Sequence, residues 1–125
     1  MPRIVLRVAF EGELTVAVLD TGAPYVVCAP ELAHRVGITS GPSFGRMRLQ
    51  IRGFSVEGHL YRLALTFPAD LGNSLTIDAT AFVPDMEWIE IWGDLPSFIG
   101  LNGCLERMRF AVDPTSDSFY FGPLE

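Results

Sequence analysis

The sequence contains no lysine. All nine of its basic residues are arginine, against fifteen acidic ones, and the formal net charge is −6. Nucleic acids and anionic membrane surfaces recruit proteins through positive charge, so neither is expected as a principal partner. Four arginines do gather, Arg46, Arg48, Arg52 and Arg62, on what reads as one hairpin. A solvated strand face accounts for them, and an influence on substrate charge is the lesser reading. Histidine and cysteine are almost as scarce: His34 and His59, Cys28 and Cys104. No pair among them has the spacing of a zinc site, and no glycine-rich phosphate loop occurs, so neither a metal nor a nucleotide cofactor is expected. Nothing beside either cysteine marks a thiolate, and buried, reduced thiols are the expectation. No apolar run approaches the ~20 residues of a membrane helix, and the start, Met1-Pro2-Arg3-Ile4, lacks the apolar core of a signal peptide. These absences together lead to the expectation of a cytoplasmic protein. Repeats, linkers and low-complexity tracts are missing too. With 49% hydrophobic and 19% charged residues over 125 positions, the chain reads as one domain, residues 1–125, around one core.

What is present is a succession of short strands. Ile4, Leu6, Val8 and Phe10 alternate with mixed neighbours, Glu11-Gly12-Glu13 turns the chain, and Leu14 to Leu19 returns, apolar on nearly both faces and therefore expected to be central. Ala23 to Cys28 reads as a further strand. Pro30 to Gly37 reads as a helix of about two turns, with proline where a missing N–H does no harm and glycine just past the end. Arg46 to Ile51 and Val56 to Phe67 form a long hairpin about Arg52-Gly53-Phe54-Ser55, and Leu75 to Val83 alternates again. Trp88 and Trp92 belong to a short aromatic stretch expected to pack in a core or dimer contact. A short helix capped by Asn102 is expected after Gly100, and Arg109 to Val112 and Ser118 to Phe121 close the chain as strands. Many short strands with one or two short helices define an all-β class with a closed or nearly closed sheet.

Two motifs carry chemistry. Gly41-Pro42-Ser43-Phe44-Gly45 has the glycine and serine spacing of a hydrolase nucleophile elbow. That motif needs a strand before it, a helix after it and an acid between serine and histidine; here a helix precedes, a strand follows, and no aspartate lies between Ser43 and His59, so the match is fortuitous. The second is Val16-Ala17-Val18-Leu19-Asp20-Thr21-Gly22-Ala23, in which a carboxylate ends an apolar strand and is followed by a hydroxyl and a glycine. Asp-Thr-Gly serves as an ordinary turn in many proteins. An acid at the edge of a hydrophobic run is nonetheless costly unless hydrogen bonds compensate its desolvation.

The run Leu19 to Ile38, strand, Asp-Thr-Gly-Ala, strand and short helix, resembles the active-site segment of the retropepsin-like aspartic proteases. Phe98-Ile99-Gly100-Leu101-Asn102-Gly103 resembles that family's second signature, two bulky apolar residues and a glycine. The resemblance implies a retropepsin-like closed β-barrel and aspartic endopeptidase activity without a cofactor. It implies a homodimer, because the chain supplies one Asp-Thr-Gly where the chemistry uses two. Asp20 would then join Asp20 of a second copy, Thr21 would brace the paired loops, and Gly22 would admit the substrate backbone. The hairpin would act as the flap over a bound peptide, with Ala23, Gly53, Phe54 and Ile99 as substrate contacts and Gly100 packed under the Asp20 loop. Retroviral flaps carry several glycines at the tip, whereas Gly53 and Gly58 alone fall in this hairpin. Two other readings stand beside the peptidase: a catalytically silent peptide-binding or dimerisation module of the same fold, and a β-barrel in which Asp20 is a turn residue only.

Overall fold

Positive-φ turns start the fold and set its registers. The computed structural model describes residues 4–125, so the reading of Met1-Pro2-Arg3 lies outside the described residues. Strands β1 (Val5–Phe10) and β2 (Glu13–Leu19) pair antiparallel from Val5↔Val18 to Phe10↔Glu13. The two residues between them, Glu11 and Gly12, have φ of 48° and 84°, the left-handed pair that matches the twist of a tight hairpin. Arg52 (φ 50°) and Gly53 (φ 83°) do the same between β4 (Gly45–Ile51) and β5 (Phe54–Phe67), whose register closes on Ile51↔Phe54. The hairpin therefore turns within two residues and has no floppy glycine tip. Gly58 serves another purpose lower down β5: a Cβ there would overlap the Val83 carbonyl.

Strand β6 (Leu75–Pro84) runs antiparallel to β5 over ten residue pairs. The short β3 (Val26–Val27) lies parallel to β6 and antiparallel to β7 (Ser97–Ile99), and β7 lies parallel to β2. Ala9 and Phe10 of β1 return to pair with Thr66 and Leu65 of β5. The ring β1-β2-β7-β3-β6-β5 is thus closed, a six-stranded barrel without open edges, and β4 extends the hairpin beyond it. Helix α1 (Pro30–Val36) begins on proline and ends at Gly37, whose φ of 82° lets its N–H donate to the carbonyls of Ala33 and His34. A 3-10 turn at Met86–Trp88 leads into the four-residue α2 (Ile89–Trp92). The chain ends in an antiparallel pair, β8 (Met108–Asp113) and β9 (Ser118–Pro123), held against the barrel through Phe67, which packs on Phe119 and Phe121 with ring centroids 5.9 and 5.7 Å apart.

The interior divides into two apolar clusters. Val8, Phe10, Val26, Leu63, Leu65, Ala81 and Ile99 fill the barrel. Val18, Val27, Val56, Phe82, Trp92 and Phe98 point the other way, and the hairpin and the Trp88–Leu95 segment cover them. Where consecutive residues are both buried, as at Ala17-Val18, Val26-Val27 and Phe98-Ile99, the strand lies under this second layer.

The structure corrects several sequence expectations. Leu14 and Val16 of β2 are more than half exposed, because the second layer covers only the strand's far end. The strand expected over Ala23 to Cys28 shrinks to Val26–Val27, since residues 20–24 are spent on turns bonded to the chain around Leu101. Asn102 caps no helix: its N–H donates to the Pro24 carbonyl, and the helical turn that follows is a 3-10 segment, Leu105–Arg107, flanked by Cys104.

Cys28 and Cys104 are free, fully buried thiols. Burial pushes each up to about 12, Ser97 lowering Cys28 and Arg107 lowering Cys104 only in small part. Neither thiol is expected to react with an aromatic disulfide reagent at about pH 8 until denaturant is added, and both should react in the unfolded chain. Rapid modification of the folded protein would contradict this burial.

Candidate functional site

Strand β2 delivers Asp20 just past the register pair Leu19↔Ile99, and the Asp20 N–H continues the ladder by donating to the Ile99 carbonyl at 3.0 Å. The chain then turns: Gly22 N–H donates to Asp20 Oδ1 at 3.0 Å, and Ala23 N–H to the Asp20 carbonyl at 3.0 Å. The first of these is an Asx turn, so the ordinary structural role of Asp-Thr-Gly is realised here. It fixes one carboxylate oxygen and leaves the other without a hydrogen bond among the described residues. An ideal Cβ at Gly22 would stand 3.3 Å from that bonded oxygen, so glycine is what lets the amide approach it.

A second strand of hydrogen bonds locks the turn from below. Leu101 N–H donates to the Ala23 carbonyl at 3.0 Å and Asn102 N–H to the Pro24 carbonyl at 2.8 Å. Gly100 sits at the crossing, buried, where a Cβ would overlap the Tyr25 carbonyl and come within 2.8 Å of the Ala23 oxygen. Together the Asp20 turn and the Gly100 segment form one rigid unit.

Asp20 opens onto a groove of about 800 Å³. Ile4, Val18, Leu19, Gly22, Ala23, Pro24, Val27 and Phe98 line its barrel side, and Leu49, Gln50, Ile51 and Arg52 its hairpin side. The groove mixes apolar side chains with polar surface from Gln50 and the backbone, and among the described residues Asp20 and Arg52 are its charged members. At the hairpin tip the Arg52 guanidinium lies over the Phe98 ring, 5.9 Å from its centroid, and the tip and the barrel touch across the groove. Thr21 is exposed beside Asp20.

The predicted site residues are not all brought together. Asp20, Gly22 and Ala23 share the groove, while Gly53 is outside its lining. Phe54 turns away to meet Trp88 edge-on, ring centroids 6.2 Å apart, over a small apolar depression with Ile91 and Leu95. Ile99 is fully buried inside the barrel and contributes its carbonyl alone. Phe98 is the residue that faces the groove in its place. The signal was the two-residue period of a strand: Phe98 registers with Val18, and Val18 and Asp20 share a face. His34 is exposed on α1, and His59 Nδ1 lies 3.1 Å from Asp85 Oδ1, both outside the groove lining. Among the described residues no group of three or more His, Cys, Asp or Glu is placed to hold a metal ion, and no helix is long and apolar enough to cross a membrane.

No protein-family model and no curated protein sequence matches the chain. Solved structures do. A retropepsin-like aspartic protease from Rickettsia conorii superposes with a TM-score of 0.61 at 20% identity, covering 98% of this chain and 86% of that one. EIAV protease complexed with the inhibitor HBY-793 superposes with a TM-score of 0.51 at 16% identity, covering 79% of this chain and 82% of that one. The fold is that of the retropepsin-like proteases, an all-β closed barrel with two short helices.

Replacing Gly100 by alanine should cost about 3 kcal/mol or more, since the methyl group must displace backbone on both sides. Gly45, with nothing within 4 Å of its Cβ position, is the control, and alanine there should change stability by less than ~0.5 kcal/mol. Urea denaturation of the two variants measures the difference; equal midpoints would contradict the packing described.

Proposed function

We propose that this protein is an aspartic endopeptidase whose active site forms between two copies of the chain. The observation that carries the reading is the Asp20 carboxylate, held on one oxygen by Gly22 N–H and facing a groove beneath a hairpin. One exposed carboxylate supplies one acid or one base, and amide hydrolysis by an activated water uses both at once. A second Asp20, brought up across a two-fold axis through the paired turns, completes the pair.

Two carboxyls at such a distance share a proton, since both cannot ionise freely. The protonated one gives its proton to the scissile carbonyl oxygen. The ionised one takes a proton from water as its oxygen bonds to the carbonyl carbon, giving a neutral gem-diol. Collapse of that intermediate breaks the C–N bond: the amide nitrogen leaves with the proton of one carboxyl, and a gem-diol hydroxyl returns a proton to the other, so the dyad again holds one. Thr21, exposed beside Asp20, braces the paired turns across the axis in this reading. The substrate is an extended peptide lying between hairpin tip and dyad, bonded through its main chain as an added strand. Apolar side chains suit the walls formed by Val18, Val27, Ile51 and Phe98.

The silent peptide-binding module is favoured by one feature, the Arg52–Phe98 contact that spans the groove. The two readings part on a single variant. Asp20→Asn should fold normally by circular dichroism and lose cleavage of unstructured peptides by more than about a thousandfold. Wild-type protein should give a bell-shaped rate profile with an acidic to near-neutral optimum, because the dyad titrates as a pair. Hydrolysis retained in the variant, or a rate flat from about pH 3 to pH 8, would contradict the peptidase reading; peptide binding with no turnover at any pH would establish the silent one.

A further inference from the structure

The arginines of this chain are paired, with one exception among the described residues. Arg46 and Arg48 both meet Glu57, Arg62 meets Asp78, Arg35 meets Glu13 and Arg7 meets Asp70. Arg107 and Arg109 donate to the backbone carbonyls of Asp78 and Pro123. Arg52 alone has neither a carboxylate nor a carbonyl partner among the described residues, and its guanidinium instead rests over Phe98 at the wall of the Asp20 groove.

Building on the peptidase reading, we infer that Arg52 and Phe98 form a carboxylate-selecting subsite, which takes a glutamate or aspartate side chain of the extended peptide lying in the groove. A guanidinium laid on an aromatic face keeps its N–H groups at the rim of the plane, where they can fork a carboxylate with two parallel hydrogen bonds. None of those donors has a hydrogen-bond partner among the described residues. Carrying a carboxylate into a groove lined by Val18, Leu49, Ile51 and Phe98, with Gln50 and the like-charged Asp20 also in the lining, is costly without a partner, and among the described residues Arg52 is the one cation there. A lysine or arginine side chain would be repelled at the same place, so the subsite discriminates by charge as well as by hydrogen bonding. The position also fits its purpose mechanically. Arg52 is the first residue of the two-residue turn, at a φ of 50° that glycine or asparagine adopts with less strain, and the turn aims its side chain back across the groove.

The test uses the full chain and acetylated, amidated ten-residue peptides with apolar residues at the scissile bond. They are identical except for Glu or Gln at one position, scanned over the three residues on either side. At one position wild-type protein should cleave the Glu peptide about tenfold faster in kcat/KM than its Gln twin, an advantage that shrinks as salt is raised. Arg52→Gln should bring that ratio to about one, and Arg52→Glu should turn it in favour of a Lys peptide. A ratio near one at every position in wild type, or a preference that survives Arg52→Gln, would overturn the subsite. A preference for a free-acid chain end, with none for an internal Glu, would also overturn it. Should no peptide be cleaved, hydrolysis fails but the subsite is still decided by fluorescence anisotropy of the same labelled peptides on Asp20→Asn. Tighter binding of the Glu peptide that Arg52→Gln abolishes in this background supports the inference; equal binding, or none, overturns it.

Discussion

The crossing of two backbone segments at Gly100 is the constraint on which the rest depends. The Asp20 turn cannot hold its shape alone: residues 20–24 form no strand, and their one side-chain bond is internal. Its stiffness is imported from the chain around Leu101 by hydrogen bonds above and below the crossing, Asp20 N–H to Ile99 on one side and Leu101 and Asn102 N–H to Ala23 and Pro24 on the other. Those bonds form only if the two backbones approach to a separation that excludes a Cβ. A single hydrogen atom in place of a side chain thus couples residues eighty positions apart and fixes where one carboxylate points.

Around that crossing the chain builds in two layers, and the groove is the seam between them. The closed ring of six strands consumes its own edges, which leaves the outer face of β2, β3, β6 and β7 to be covered by something else. The hairpin of β4 and β5 and the Trp88–Leu95 segment cover most of it through Val56, Leu49, Ile51 and Trp92. The hairpin is therefore no free ribbon. Val56, paired with Leu49 close to the tip, anchors the hairpin in the core, Glu57 ties Arg46 and Arg48 along one face, and the tight Arg52-Gly53 turn leaves little slack. The two arginines hold the Glu57 carboxyl below the usual carboxylate range, so this clamp is complete above that range and is released as pH falls through the lowered value.

Much of this was legible in the chain. Turn chemistry marked Glu11-Gly12-Glu13 and Arg52-Gly53-Phe54-Ser55, one and two residues longer than the turns that form, proline and glycine bracketed α1, and strand periodicity placed β1, β5 and β6 within a few residues. Asp20 and Gly100 were picked out by resemblance to two short motifs, and the closed barrel by the number of short strands. The misses share a physical cause: they depended on which face of a strand a second layer would cover, and a local pattern does not contain that. Leu14 and Val16 look as buried as Val18 until the hairpin's reach is known. Ile99 and Phe98 look interchangeable until the register with β2 assigns one to the barrel and the other to the groove. Phe54 seemed a tip contact because it follows Gly53, yet its strand position turns it toward Trp88. Asn102 has the side chain of a helix cap but spends its backbone on Pro24 instead.

In the proposed peptidase the Asp20 carboxyl, held on one oxygen and set beside the groove, is half of the catalytic centre, and a second copy of the chain supplies the other half. The separation of the two Asp20 carboxyl groups in an assembled dimer, from a crystal structure or a solution distance measurement, tests that most directly. Oxygen atoms within hydrogen-bonding reach, about 3 Å apart, are what the account predicts. A protein monomeric at all working concentrations, or a dimer that leaves these carboxyls more than about 10 Å apart, beyond the screening length of solvent, would contradict it.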